Sequence, residues 1–341
     1  MKFSIATATV LAVSANAAKI LMNNDDGFGS GNIREFYRLL KEAGHDVIMV
    51  APAFQQSAQG GRSDFTTFPN LTTPSQYNIV PAGSPSVGTD PNDSNIWYYN
   101  GTPAACNFVA LDYVLPRYYE DWTPDLLVSG PNFGVDTGPF VFTLSGTLGA
   151  TYSAVERSIP AIAFSGSNPS IAYQNVTNTS NPATWVASVS AKITQQFIDA
   201  TPKGQTILPI GYGVNVNIPD LDGPDLPPVV ATRINGDADV DVAIYNETTG
   251  LFKYGEINPK AAGANVCFNG DCSLPGETLV VAGGSVSISV FTVDYDAPRI
   301  PLTEVVFGRF EELTKARNAT AAYKRRAARR GPMLKGRDVR K

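Results

Sequence analysis

The chain has 341 residues, an ordinary apolar and aromatic content, 26 Lys and Arg against 31 Asp and Glu, one histidine and three cysteines. That length suits one large domain with an extension, or two domains, and supplies ample chain for a sizeable core. A single histidine excludes multi-histidine zinc sites and any catalysis that needs two histidines.

Met1–Ala17 reads as a secretory signal: Lys2 is basic, Ile5 to Val13 are apolar, and Ala15-Asn16-Ala17 is a small-x-small cleavage pattern. The apolar run is too short to span a bilayer comfortably, and no other membrane span is visible. Glycosylation sequons at Asn70, Asn92, Asn100, Asn175, Asn178, Asn246 and Asn318 agree with export, although Asn100 abuts a helix start. The expectation is a secreted, extracellular or vacuolar glycoprotein.

Strands and helices then alternate. Lys19 to Met22 is a short buried strand. Ile33, Phe36, Tyr37, Leu40 and Ala43 share one helical face, and Gly44 ends that helix. Asp46 to Ala51 is a strand, and Gln55 to Pro91 is rich in loop residues. Asn95 to Tyr99 is a strand; Thr102 is placed to cap a helix from Pro103 to about Leu115. Asp125 to Ser129, Ala161 to Ser165 and Ile207 to Ile218 read as strands, and Thr147 to Arg157 and Ala183 to Asp199 as helices. From residue 220 the texture is β-rich, with strands expected at Val229–Ile234, Asp239–Tyr245, Leu251–Glu256 and Ser285–Asp294 and no helix expected before Glu304. Of the 26 basic residues, 11 stand at or after Glu311, against 3 of the 31 acidic ones. The tail is therefore basic and reads as disordered, and the acidic body argues against a nucleic-acid duplex as partner.

This order predicts an α/β fold: a Rossmann-like, three-layer αβα arrangement around a mostly parallel sheet, with a β-rich C-terminal extension. The expected division is a signal at 1–17, a core at 18–219, an extension of the same domain at 220–310 and the tail at 311–341. Cys267 and Cys272 bracket a turn signal and suit a local disulfide; Cys106 lies on an apolar stretch and reads as a buried thiol. His45, in Ala-Gly-His-Asp, reads as a structural turn residue, and no Gly-x-Ser-x-Gly elbow is present to complete a triad with it.

The chemistry concentrates after the first strand. Lys-Ile-Leu-Met-Asn-Asn runs into Asp25 and Asp26 and then a glycine-rich turn. Two such carboxylates repel by roughly 1 kcal/mol at 4 Å in water and about 4 at an effective dielectric of 20, and a cation removes that cost. Alone, Asp-Asp-Gly reads more readily as a solvated turn than as a site. Three further segments add oxygen donors suited to a hard cation or a phosphate: Gln55-Gln56-Ser57, Ser129-Gly130-Pro131-Asn132-Phe133-Gly134, and Leu144-Ser145-Gly146-Thr147 at a helix start. Gly27-x-Gly29-x-Gly31 mimics a dinucleotide fingerprint, but the third glycine is misplaced and the aspartates would face a pyrophosphate.

Taken in order, several motifs resemble the SurE family of metal-dependent survival-protein phosphatases, also described as 5′/3′-nucleotidases and acid phosphatases. They are Asn24-Asp25-Asp26-Gly27, Ala43-Gly44-His45-Asp46-Val47, Gln56-Ser57, Gly101-Thr102-Pro103-Ala104-Ala105-Cys106, Val128-Ser129-Gly130, Asn132 with Gly134, Ser145-Gly146-Thr147, and Val216-Asn217-Ile218-Pro219. The resemblance implies one divalent ion, Mg2+, Mn2+ or similar, on Asp25, Asp26, Ser57 and Asn132. It implies a phosphate pocket of Ser145, Gly146 and Thr147, assisted by Asn24, and catalysis by Asp25 and Asp26 through a metal-activated water. The family pattern usually has a second asparagine where this chain has Asp136, which by that match joins the implied phosphate-binding residues, and often glycine where it has Ala58. A phosphorylated small molecule is the implied substrate and a homodimer the implied assembly. The rival expectation is a non-catalytic secreted glycoprotein that keeps the fold to bind metal, a phospho-ligand or a partner.

Overall fold

The computed structural model describes residues 17–257 and 262–314. The expected signal up to residue 16, the sequon at Asn318 and the tail from residue 315 lie outside the described residues. The chain groups into two compact units, one ending at Asp294 and one beginning at Tyr295.

The strands are β1 (Lys19–Asn23), β2 (Asp46–Pro52), β3 (Val87–Asp90), β4 (Asp93–Tyr99), β5 (Leu126–Phe133), β6 (Ala161–Gly166), β7 (Tyr212–Ile218), β8 (Val229–Thr232), β9 (Val240–Asn246), β10 (Leu251–Ile257) and β11 (Val286–Thr292). The helices are α1 (Gly31–Glu42), α2 (Pro103–Val109), α3 (Leu115–Tyr118), α4 (Pro139–Leu144), α5 (Gly146–Glu156), α6 (Pro182–Asp199), α7 (Ala262–Asn265), α8 (Glu277–Ala282), α9 (Pro301–Gly308) and α10 (Glu311–Thr314). Nine strands form one sheet in the order β3-β4-β2-β1-β5-β6-β7-β11-β8, while β9 and β10 form an antiparallel hairpin. The six strands from β4 to β7 in that order are parallel; β3 and β11 pair antiparallel with β4 and β7.

Side-chain alternation along the strands feeds both faces, as the mostly parallel sheet requires. In β1, Ile20 and Met22 pack with Ile33, Phe36 and Leu40 of α1 and Val186, Val189 and Ile193 of α6. Leu21 faces the other way, with Ala105 and Cys106 of α2 and Ala154 and Val155 of α5. Val286 of β11 joins the first cluster and Phe291 the second, so this strand of the extension completes the central core.

Several local expectations change. The helix after Thr102 is interrupted by a π-helical turn at Ala110–Val114. Thr102 stands at the N-cap position, but its hydroxyl serves the neighbouring loop, donating to Arg62 O and accepting from Asp64 N. The strand expected from Ile207 starts only at Tyr212, because the chain turns there, with Tyr212 N donating to Pro209 O. Strand β3 lies within the segment read as loop. The extension holds α7 and α8, and α9 starts ahead of Glu304; α7 and α8 are too short for a 3.6-residue period to show. Cys267 and Cys272 are bonded, and Cys106 is a buried free thiol. In the second unit, the rings of Phe307 in α9 and Phe310 just ahead of α10 meet at a tilt, with centroids 5.4 Å apart.

Candidate active site

β1 sits between β2 and β5, so the chain leaves it in one direction and later returns on its other side. The carboxyl ends of two such strands form the topological switch point, where crevices open in doubly wound sheets. The aspartates follow β1 at that point. His45 is at the opposite end of the strand: Ala18 N donates to its Nδ1 (3.2 Å) and its Nε2 meets Gln195 Oε1 (3.0 Å). It takes no part in the site.

Asp25 and Asp26 are almost wholly buried, 2% and 4% exposed. Burial raises the Asp25 carboxyl above its ordinary range, opposed by the Thr147 hydroxyl and the amides of Gly146 and Thr147. Thr147 Oγ1 donates to Asp25 Oδ1 at 2.7 Å. Burial also pushes Asp26 well up; the Asp25 charge adds to this, and the Phe133 amide, donating to Asp26 Oδ2 at 2.9 Å, works against it. Such a pair is costly as a bare dianion.

The β5 end is built to reach it. Pairing with β6 slips between Ser129 and Asn132, leaving an extra residue on β5. The bulge re-aims the strand end. Gly130 is required there: its φ is 96°, and a Cβ would fall 2.2 Å from Phe164 O. Asn132 is 9% exposed; its Nδ2 donates to Gly134 O (3.0 Å), leaving Oδ1 as its acceptor. Ser57 is exposed and accepts from Gln55 Nε2; it is placed by Gln56, whose amide donates to Asp25 O at 2.6 Å. Next to it, Ala58 holds φ at 62°, a left-handed conformation that glycine adopts without strain. Asn24 secures the following turn, its Nδ2 donating to Gly27 O and Ser30 Oγ (both 3.1 Å), and its buried Oδ1 has no partner among the described residues.

Gly146 brings α5 onto Asp25. A Cβ at this position would lie 2.7 Å from Asp25 Cβ and 3.0 Å from Asp25 Oδ2. Gly146→Ala is therefore expected to lower thermal stability by a few degrees and activity by tenfold or more, since overpacking costs about 1–3 kcal/mol and displaces the carboxylate. Unchanged kinetics in the purified variant would contradict the close approach.

Ser145 caps α5, accepting from Leu148 N at 3.4 Å, and its Oγ donates to Asp136 Oδ2 at 2.9 Å. Ser165 Oγ donates to the same oxygen at 2.8 Å. Asp136 is thus a buried support behind Ser145. Burial, then the Asp25 charge, push its carboxyl up to about 7 against those two hydroxyls. Its amide donates to Asn217 Oδ1 (2.6 Å), and its carbonyl accepts from Asn215 and Asn217 Nδ2 (3.0 and 3.1 Å). Beyond lies Glu277, fully buried and also raised to about 7, chiefly by burial.

The structure therefore brings Asn24, Asp25, Asp26, Asn132, Asp136, Ser145, Gly146 and Thr147 into one buried neighbourhood, with Ser57 at its exposed edge. Ser165, Asn215 and Glu277 were not anticipated as site residues. Asparagines alternating with valine in β7 were the visible sign of Asn215; nothing in the sequence marked Ser165 or Glu277. Among the described residues no group of three or more His, Cys, Asp or Glu is placed to hold a metal. The donor set is two carboxylates completed by neutral oxygens, a chemistry that fits one hard divalent cation and no soft one.

The family profile of Survival protein SurE matches residues 20–238. An acid phosphatase of Yarrowia lipolytica is 42% identical over 298 residues, 84% of this chain and 83% of that protein. The 5′-nucleotidase SurE of Desulfovibrio desulfuricans is 35% identical over 146 residues, 43% of this chain, and the match spans about half (49%) of its length. The crystal structure of the SurE protein from Aquifex aeolicus superposes with a TM-score of 0.55 over 82% of this chain and 94% of that one, at 23% identity, a likeness of fold. With its aspartate pair at the switch point and the family profile running from β1 into the extension, this chain belongs to the SurE family.

Proposed function

We propose that the chain is a secreted, divalent-metal-dependent phosphomonoesterase acting on nucleoside monophosphates or other small phosphate monoesters. Family membership and the acid phosphatase and nucleotidase names of its relatives support a phosphatase. The observation that carries the finer reading is the buried Asp25–Asp26 pair set against the N-terminus of α5.

Asp25, Asp26, Asn132 and Ser57 would hold the ion. When bound, it supplies positive charge for the phosphoryl oxygens and makes a coordinated water more acidic. The start of α5 adds partial positive charge, and Ser145 and Gly146 line the phosphate position, with the Ser145 hydroxyl held by its bond to Asp136. Thr147 acts on the aspartate, since its hydroxyl is committed to Asp25 Oδ1. Asp25 is held by Thr147 and the α5 amides, Asp26 by the Phe133 amide, so we assign proton acceptance to Asp26. An open groove of about 570 Å³ beside Gln56, lined by Phe54, Arg62, Phe65 and Phe68, offers room for the organic part of the ester.

Secretion is supported by the Cys267–Cys272 disulfide and by the exposed sequon residues Asn70, Asn92, Asn175, Asn178 and Asn246. No described helix is long and apolar enough to cross a membrane. Dimerisation is part of the proposal, supported by the exposed Tyr245, Leu251, Phe252 and Tyr254 on the β9–β10 hairpin.

Hydrolysis of p-nitrophenyl phosphate and AMP tests the reading. EDTA is expected to abolish turnover, and Mn2+ or Mg2+ to restore it. Turnover indifferent to chelation would defeat the metal requirement. A chain that binds Mn2+ but hydrolyses nothing would favour the non-catalytic alternative.

A further inference from the structure

Between β5 and α4 the chain leaves the sheet through residues 134–138, and the stability of that path decides where Ser145 sits. Gly134 N donates to Gly166 O at 2.8 Å, and Asn215 and Asn217 hold Asp136 by its backbone. The last tie comes from the extension: Gly138 N donates to Glu277 Oε1 at 2.8 Å. Gly138 is the N-cap residue of α4, and Ser145 is its C-cap residue. One six-residue helix thus connects the Glu277 contact to the cap of α5.

Glu277 also reaches the site by a second route. Asn215 Nδ2 lies 3.4 and 3.2 Å from its two carboxyl oxygens and donates to Asp136 O as well. Asp136 in turn accepts from Ser145. Ser289 Oγ donates to Glu277 Oε2 at 2.8 Å, and Ser289 is itself paired with Thr232 at 2.7 Å. Gly138, Asn215 and Ser289 all present hydrogens to one group, which accepts on every side once it is ionised, above about pH 7. A fully buried glutamate with no cationic partner among the described residues is a costly choice for mere filling.

We infer that Glu277 is a positioning residue for the phosphate pocket, fixing Ser145 through Gly138 and α4 on one side and through Asn215 and Asp136 on the other. The inference rests on the phosphatase reading and adds a determinant of phosphate affinity from outside the pocket. Glu277→Ala removes both routes. Glu277→Gln keeps an oxygen for the Gly138 amide and allows Ser289 to turn its hydroxyl toward Thr232.

The test compares wild type, Glu277→Ala and Glu277→Gln in the presence of Mn2+. It reads KM for p-nitrophenyl phosphate, Ki for inorganic phosphate, the rise in Tm caused by inorganic phosphate, and the half-saturating Mn2+ concentration. Glu277→Ala is expected to raise KM and Ki about tenfold, the loss of one charge-assisted anchor, with Mn2+ demand within about twofold of wild type. Glu277→Gln is expected to recover most of the phosphate affinity. A purely structural role predicts a lower Tm with KM and Ki unchanged in the folded fraction, and that result overturns the inference. Should Glu277→Ala fail to fold, Ser289→Ala, which removes one of the two donors to Oε2 and leaves Asn215, is expected to raise Ki about threefold, and an unchanged Ki overturns it. Wild type that hydrolyses nothing would sink the phosphatase reading by itself. The phosphate-induced Tm shift would still decide the role of Glu277, supporting it if the shift is lost in Glu277→Ala and overturning it if the shift is equal or absent in both proteins.

Discussion

Asp26→Asn is expected to lower turnover by about two to four orders of magnitude, the usual cost of removing a proton acceptor, while the fold stays intact. The variant is clean for a physical reason. Among the described residues Asp26 Oδ2 accepts only the Phe133 amide, and an asparagine oxygen can accept it equally. The substitution also removes one charge from a buried pair in which burial raises both carboxyls and the Asp25 charge raises Asp26 further. Without metal, the variant should therefore be more stable than wild type above neutral pH. The order reverses when Mn2+ is added: an ion that binds only the folded chain stabilises by mass action, and the variant loses much of that gain. Thermal melts with and without Mn2+ check this apart from any turnover. Asp25→Asn should be equally inactive but less stable, because its amide NH2 would oppose the Thr147 hydroxyl and the α5 amides. Wild-type turnover in Asp26→Asn, or an undiminished Mn2+ shift, would overturn the assignment.

In EDTA the protein is expected to lose several degrees of Tm between about pH 5.5 and 8. Asp136 and Glu277 hold their protons up to about 7 when folded, against ordinary values of 3.8 and 4.5. The folded chain therefore binds more protons than the unfolded chain across that interval, and its stability falls as pH rises. The contribution is complete below about pH 4 and gone above about 7. Asp25 and Asp26, also raised, act in the same sense. His45 acts in the opposite sense: burial lowers its pKa, so its contribution is lost as pH falls through 6.5 and below. One such group opposes four. Asp136→Asn should flatten the melting profile. It should also extend activity toward neutral pH, because the carboxylate charge behind Ser145 is gone. A Tm that rises from pH 5.5 to 8, or a profile unchanged by the substitution, would refute the account.

The alternation of strand and helix, the aspartates at a strand end and the small residues opening α5 were all legible because each is a local pattern. Periodicity reports which face is buried, and a carboxylate pair after an apolar strand reports a charge that needs a partner. Short elements were not legible: β3, α7 and α8 are brief enough that pairing and packing, rather than propensity, decide them. The hydroxyl of Thr102 serves a loop instead of its own helix because residues 62–64 come within reach only after folding.

The amino-acid sequence by itself determined the family, the sheet-and-helix order and the aspartate pair that follows the first strand, because those depend on residue identity and near neighbours along the chain. Tertiary structure alone decided what stands behind them. Glu277 lies 139 residues from the Gly138 amide it accepts, and Asp136 is a buried prop because Ser145, Ser165 and the β7 asparagines close around it. Such contacts arise from which strands the sheet sets side by side, and a low dielectric makes each of them matter.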